Sequence, residues 1–357
     1  MKRIVPLFCL FFCLLCGIPC AAAPAGKLHN AGFRTIGIWQ QEQQLRLDIN
    51  VWYPTARRPA DLNYSPWTLH AARNAPPREG RFPVILLSHA TAGTRFSYHE
   101  LAAWLARNGF VVAAPTHPGD NMDDMHALYT LEQLSGRVHH LRTTLDILAG
   151  DAQLGPVLDL DRVGVAGFQA GATAALLMGG AGLDAAGWQR YCTDGKRDEH
   201  YCSRWAEQRI SGLIASLPLR TPLEDARVKA VAAISPMYGM LLTAKALRSC
   251  TAGVLLVETE EDLHGGSANT LLTDRFPRPP ALARLPQANE GGLMSACPRA
   301  LAEELPELCH SVTPEQRLRL HHQLRGLLVS FFTTTLTSAS APHEAVLPPE
   351  PALFSRH

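Results

Sequence analysis

The chain has 357 residues, with 33 Lys and Arg against 32 Asp and Glu and 46% hydrophobic residues. That length suits one large α/β domain with insertions, and so even a charge balance leaves no electrostatic footprint for nucleic acid or an anionic membrane surface. After the N-terminal leader, no apolar run reaches the roughly 18 residues that a membrane span needs.

Lys2 and Arg3, the apolar run Ile4 to Ile18 and the triplet Ala21-Ala22-Ala23 have the layout of a secretory signal peptide over residues 1–23. Cys20 follows Pro19 rather than a small residue, which argues against a lipoprotein anchor. Taking Lys2 and Arg3 from the 33 basic residues leaves 31 against 32 acidic ones in the exported chain. Five cysteines remain, and in an exported protein the economical pairs are Cys192 with Cys202 and Cys297 with Cys309. Cys250 is left over as a buried thiol. No C-x-x-C spacing points to zinc, and nothing calls for a metal or cofactor.

From Gly32 to Tyr53 short apolar and polar residues alternate about 40–44, predicting a β-hairpin. Ala56 to Arg81, interrupted by Pro, Arg and Asn, reads as a surface loop. Phe82 to Leu87 is a buried strand ending in Ser88-His89-Ala90-Thr91-Ala92-Gly93. The helix that follows carries Leu101, Trp104 and Leu105 and stops at Gly109. Phe110 to Ala114 is the next strand, and its loop runs through His117, Asp120 and Asn121. Leu131, Leu134, Val138, Leu141, Leu145 and Leu148 recur at intervals of three and four, predicting a long helix with Thr130 and Gln133 boxing its start. Residues 182–225 interrupt the strand-helix alternation as a cap-like insertion. Val228 to Ile234 and Val254 to Val257 resume buried strands. A last helix starts at Thr313-Pro314-Glu315-Gln316 and runs to Phe332, and residues 337–357, rich in Pro, Ala and Ser, read as a disordered tail. The fold class is α/β, with a mostly parallel, doubly wound sheet over residues 24–336.

Asp161 to Gly180 organises this pattern. Val163 to Ala166 is a strand, Gly167-Phe168-Gln169-Ala170-Gly171 a sharp bend, and Ala172 to Met178 a helix. A nucleophile elbow is written G-x-S-x-G, its glycines permitting a strained turn that pushes the central side chain outward. Gln169 stands at that centre. Its amide nitrogen lone pair is delocalised, so no neighbouring base can make it a useful nucleophile.

The segments VILLSHATAG, GFVVAAPTHPGDN, VGVAGFQAGA, RVKAVAAISP and GVLLVETEED, followed by the Cys297 to Cys309 stretch, resemble in order the secreted α/β-hydrolases. The branch is similar to predicted dienelactone hydrolases and to bacterial platelet-activating-factor acetylhydrolase-like esterases, over residues 32–332. The resemblance implies an oxyanion hole from the backbone N–H groups of Thr91 and Ala170, with Ala90 in place of a glycine that adopts positive φ. It implies Asp262 as the triad acid. Relatives place G-x-G-H seven residues before the first C-terminal cysteine, whereas this chain has Gln287-Ala288-Asn289-Glu290 before Cys297. Glu290 thus occupies the position of the base. Nucleophile and base are both replaced, and the expected reading is a non-catalytic protein that binds a small apolar or ester-like ligand or a protein partner. The alternative is an active carboxylic-ester or lipid-ester hydrolase with a non-standard site. The Gln169 amide is expected to donate to Glu290 or Asp262.

Other polar residues read more simply. His117, Asp120, Asp123, Asp124 and His126 match no metal-ligand spacing and are expected at a pocket rim. His139-His140 and His321-His322 are adjacent on helices, so each pair diverges by about 100° and is expected at the surface or its boundary. Ser88, Thr91 and Ser235 are hydroxyls near strand ends without an elbow. Trp188, Tyr191, Tyr201 and Trp205 line a pocket mouth or pack about a disulfide.

Overall fold

A computed structural model describes residues 28–40, 45–193, 199–217, 223–259 and 272–337. The leader, the C-terminal tail after residue 337 and Asp262 lie outside the described residues.

Ten strands form one sheet in the order β10-β9-β8-β7-β5-β6-β2-β1-β4-β3. The strands are β1 Asn30–Gln40, β2 Leu45–Thr55, β3 Ala60–Tyr64, β4 Trp67–Arg73, β5 Phe82–Ser88, β6 Val111–Pro115, β7 Leu158–Phe168, β8 Val228–Ile234, β9 Gly253–Thr259 and β10 Ala281–Leu285. The predicted first hairpin is present, β1 and β2 pairing antiparallel from Asn30 opposite Thr55 to Gln40 opposite Leu45. From β6 to β10 every neighbouring pair is parallel. Such a sheet must be covered on both faces, and alternate residues of β5 show how. Val84 and Leu86 enter the cluster with α2 (Leu131–Gly150) and α3 (Ala170–Met178). Ile85 and Leu87 face α1 (His99–Arg107) and the C-terminal helix Pro314–Thr337.

One segment differs from its sequence reading. The stretch 56–81 contains the antiparallel pair β3 and β4 rather than a plain loop. Trp67, Leu69 and Ala71 are buried while Thr68 and His70 are exposed, so a period of two was present but short and flanked by loop-forming residues. Between α3 and β8 come three helices, Ala185–Thr193, Glu199–Cys202 and Arg204–Ala215. The Cys192–Cys202 disulfide joins the first two, and a second bond links Cys297 to Cys309, with Cα atoms 5.5 and 5.7 Å apart. Cys250 is buried and free, and burial pushes its thiol up to about 11. The C-terminal helix opens with a reciprocal capping box, Thr313 N–H donating to Gln316 and Gln316 N–H to Thr313 Oγ1. At α2 the box is incomplete: Gln133 accepts instead from Tyr129 N–H at 3.0 Å. No helix among the described residues is long and apolar enough to cross a membrane.

The turn from β7 into α3 requires both its glycines. A Cβ on Gly167 would lie 2.0 Å from the carbonyl oxygen of Gly171, and one on Gly171 would lie 2.4 Å from that of Ser88. The obstacles are backbone atoms, which cannot swing aside. Gly171→Ala is expected to cost about 3 kcal/mol of folding free energy, read as a lower urea midpoint at unchanged slope. A parental midpoint would show that the elbow is not packed this tightly.

Candidate functional site

Gln169 sits at the crest of this turn with φ 49° and ψ −114°. A non-glycine residue held there is strained, and the surroundings must hold it. They do so through its backbone: Gln169 N–H donates to Ile234 O, and Gln169 O accepts from Ala172, Thr173 and Met237 N–H at 3.0–3.2 Å. The half-buried side chain is thereby presented toward the segment after β10. There its Nε2 donates to Glu290 Oε2 at 2.8 Å. An ionised carboxylate only accepts, so the amide must turn its nitrogen toward it. The chain carries these two residues 121 positions apart and the fold brings them into contact.

Glu290 begins the one-turn helix Glu290–Leu293, capped by Asn289, whose Oδ1 accepts from Gly292 N–H at 2.8 Å. Two side chains of the C-terminal helix clamp this turn. Arg317 donates to the carbonyls of Gly291, Met294 and Cys309, and His321 Nε2 lies 2.9 Å from Met294 O. His321 Nδ1 is 3.1 Å from Glu100, so this histidine is buried as a structural tie rather than placed at the surface. The Cys309 carbonyl is one of the tethered atoms, so Arg317 links the second disulfide to this turn.

Two backbone groups are expected to form an oxyanion hole, those of Ala170 and Thr91. The Ala170 N–H belongs to the first turn of α3, where amides lack intrahelical acceptors. Thr91 is half-buried, and its hydroxyl lies 3.6 Å from Met237 Sδ. Positive φ in this loop falls on Ala92, at 59°, and not on Ala90, correcting the expectation. A two-residue shift follows because Asp120 Oδ1 takes the Ala92 N–H at 3.3 Å and Gly93 N–H turns back to Ala90 O.

Beneath the loop lies a buried polar network that sequence reasoning missed. Arg137 and Asp120, each only 1% exposed at the side chain, form an ion pair at 2.7 Å. Arg137 also donates to His89 O at 2.5 Å and to Ser88 Oγ at 3.2 Å, and Gln133 Nε2 donates to Asp120 at 2.8 Å. His117 and Asp120 are therefore core residues and not a pocket rim, and His140, at 5% exposure, is not a surface residue. A burial signal was available: Gln133, Arg137 and His140 sit at spacings of four and three beside the apolar stripe Leu134, Val138 and Leu141, the positions a helix turns inward. A serine hydroxyl does meet an imidazole here, Ser88 Oγ to His117 Nε2 at 2.8 Å, but both residues are 0% exposed. No group of three or more metal-ligating side chains is placed to hold an ion among the described residues.

The hydrogen bonds assign the charge state of the imidazoles. His89 Nε2 accepts from His117 N–H, so its proton is on Nδ1, donated to Ala90 O at 2.7 Å. Burial, reinforced by Arg137, holds the pKa of His89 and of His117 well below 6.5, and burial takes His140 down to about 3. These depressed values mean that the unfolded chain binds protons the folded one refuses. Stability is then complete above pH 6.5 and falls as pH drops below it, at about 1.4 kcal/mol per pH unit for each histidine kept neutral. His126, exposed and raised by Asp124, opposes this only at the surface. Urea unfolding at pH 7.5 and 5.5 should give the lower free energy at 5.5, and His140→Asn should shrink the difference. Equal stability at both pH values would contradict neutral buried imidazoles.

Comparison with known proteins supplies the wider setting. The family model of platelet-activating factor acetylhydrolase, isoform II, matches residues 53–139, from β2 into α2. No curated protein matches. A solved ferulic acid esterase from Streptomyces cinnamoneus has a TM-score of 0.58 at 17% identity, over 92% of this chain and 96% of that one. A dienelactone hydrolase from Anabaena variabilis has a TM-score of 0.49 at 14% identity, over 86% and 99%. The chain has the α/β-hydrolase fold and resembles these esterases and hydrolases in architecture.

Proposed function

We propose that this is an exported α/β-hydrolase-fold protein that holds a small apolar or ester-like ligand, or a partner, in the cleft at its elbow and runs no serine-esterase chemistry there. The observation that carries the reading is the Gln169 Nε2 to Glu290 Oε2 bond of 2.8 Å. Where an esterase needs a hydroxyl poised against an imidazole, this cleft holds an amide against a carboxylate. The amide cannot attack, and the carboxylate has no proton to pass to a leaving group. Loss of the nucleophile or the base from a triad costs about 10⁶ in turnover, leaving about 10³ to 10⁴ over water from binding and oxyanion contacts. Asp262, outside the described residues, remains the proposed acid position, with Thr91 and Ala170 as backbone donors to a ligand oxygen. The partial match to an acetylhydrolase family and the fold shared with a ferulic acid esterase support an ester-like occupant. Two disulfides support export.

A second reading, an active ester hydrolase with a displaced nucleophile, draws on the Ser88–His117 contact. Its weakness is access, because a substrate cannot reach two residues that expose no surface.

A fluorophosphonate probe separates the two. Native protein is expected to stay unlabelled, and robust labelling at an active site would overturn the proposal. Gln169→Ser alone should remain silent toward p-nitrophenyl acetate, whereas Gln169→Ser with Glu290→His should gain measurable turnover. A folded, inert double variant would mean that these two positions do not correspond to nucleophile and base.

A further inference from the structure

Five non-glycine residues with positive φ lie in the turns that follow β5, β7 and β8 and in the one that precedes α2: Ala92, Tyr129, Gln169, Ser235 and Tyr238. Each such backbone costs roughly 1–3 kcal/mol and persists only where its surroundings over-determine it. Gln169 and Ser235 are held by strand carbonyls, those of Ile234 and Val257. The other three are held by side chains. Asp120 Oδ1 accepts from Ala92 N–H at 3.3 Å, Gln133 Oε1 from Tyr129 N–H at 3.0 Å, and the Tyr201 hydroxyl from Tyr238 N–H at 3.3 Å.

Those three side chains belong to one connected chain. The buried Tyr238 hydroxyl donates to Gln133 Oε1 at 2.5 Å, and Gln133 Nε2 donates to Asp120 Oδ2 at 2.8 Å and lies 3.4 Å from Thr91 Oγ1. Arg137 donates to the same Asp120 Oδ2 through Nε and Nη2. Tyr201, at the other end, sits beside Cys202 in the helical insertion between α3 and β8. A second tie runs in parallel, Trp205 packing edge-on against Tyr129 at 5.4 Å and Arg209 donating to Leu128 O at 3.0 Å.

We propose that Tyr201, Tyr238, Gln133 and Asp120 form a latch that transmits the position of the insertion to the backbone of Thr91 and Ala92, with Gln133 as the central positioning residue. Each of the three strained residues carries an N–H whose acceptor is a member of this chain of side chains. Loosening Tyr201 removes the acceptor that fixes Tyr238, a displaced Tyr238 withdraws its hydroxyl from Gln133, and a rotated Gln133 frees Asp120 from Ala92. Ligand entry beneath the insertion would thereby reset the loop that borders the elbow. That functional meaning rests on the proposed ligand cleft, whereas the mechanical linkage does not.

Hydrogen exchange read by mass spectrometry on the ligand-free full-length exported protein tests the linkage itself, so its failure and that of the ligand-binding reading are distinguishable. Tyr201→Phe and Tyr238→Phe each remove one oxygen and keep the ring. Either is expected to speed exchange of the Ala92 and Gly93 amides about tenfold more than that of the β5 and β7 amides, which report any general loss of stability. Acceleration confined to the insertion, general acceleration throughout the sheet, or no change would each overturn the latch. Should Tyr238→Phe fail to fold, Tyr201→Phe decides, since Tyr201 is only half-buried.

Discussion

The strained backbone of Gln169 is the constraint on which the rest of the molecule depends. Its φ of 49° is possible only because Gly167 and Gly171 let β7, α3 and the end of β5 approach to backbone contact. The closeness makes the side chain at position 169 project away from the sheet, whatever that side chain is. On the proposed reading, a geometry that would serve an attacking hydroxyl is retained around a group unable to attack, and the cost of the turn is borne by the hydrogen bonds to Ile234 and Met237.

Two electrostatic solutions flank the elbow. At the half-buried end, the negative charge of Glu290 is met by an amide donor, a bond that needs no proton to move. The buried end has a full ion pair, and the high cost of desolvating Arg137 and Asp120 is offset by dense hydrogen bonding to Ser88, His89 and Gln133. Burial, with the Arg137 cation adding to it, keeps three neighbouring imidazoles neutral. The network ties the loop at Thr91 to α2, while the insertion contacts Leu128, Tyr129 and Tyr238.

Much of the architecture was legible in the sequence because the parallel strands are continuous apolar runs and α2 keeps its intervals of three and four over 20 residues. The hairpin β3–β4 was not, since seven residues of alternation in β4 are outweighed locally by Pro, Arg and Asn. At the elbow, Gly167-Phe168-Gln169-Ala170-Gly171 was legible from its glycines, and Glu290 from its distance to Cys297. Their contact depends on topology, which the order of motifs supplied. The buried network was illegible for the opposite reason: Ser88, the pair His117 and Asp120, Arg137 and Tyr238 lie on four separate segments, and each is ordinary in its own. Only the inward spacing of Gln133, Arg137 and His140 marks them, and hydrophobic periodicity passes over polar residues in a buried stripe.

The central claim is that the Gln169 amide is bonded to the Glu290 carboxyl at the place where, on the proposed reading, a hydroxyl and an imidazole would react. The side-chain ¹⁵N–¹H resonances of Gln169, followed through the carboxylate titration range, measure this bond directly. One of the two amide protons should move with a single titration that is absent in Glu290→Gln. Two amide protons that behave alike and ignore the Glu290 substitution would contradict the account.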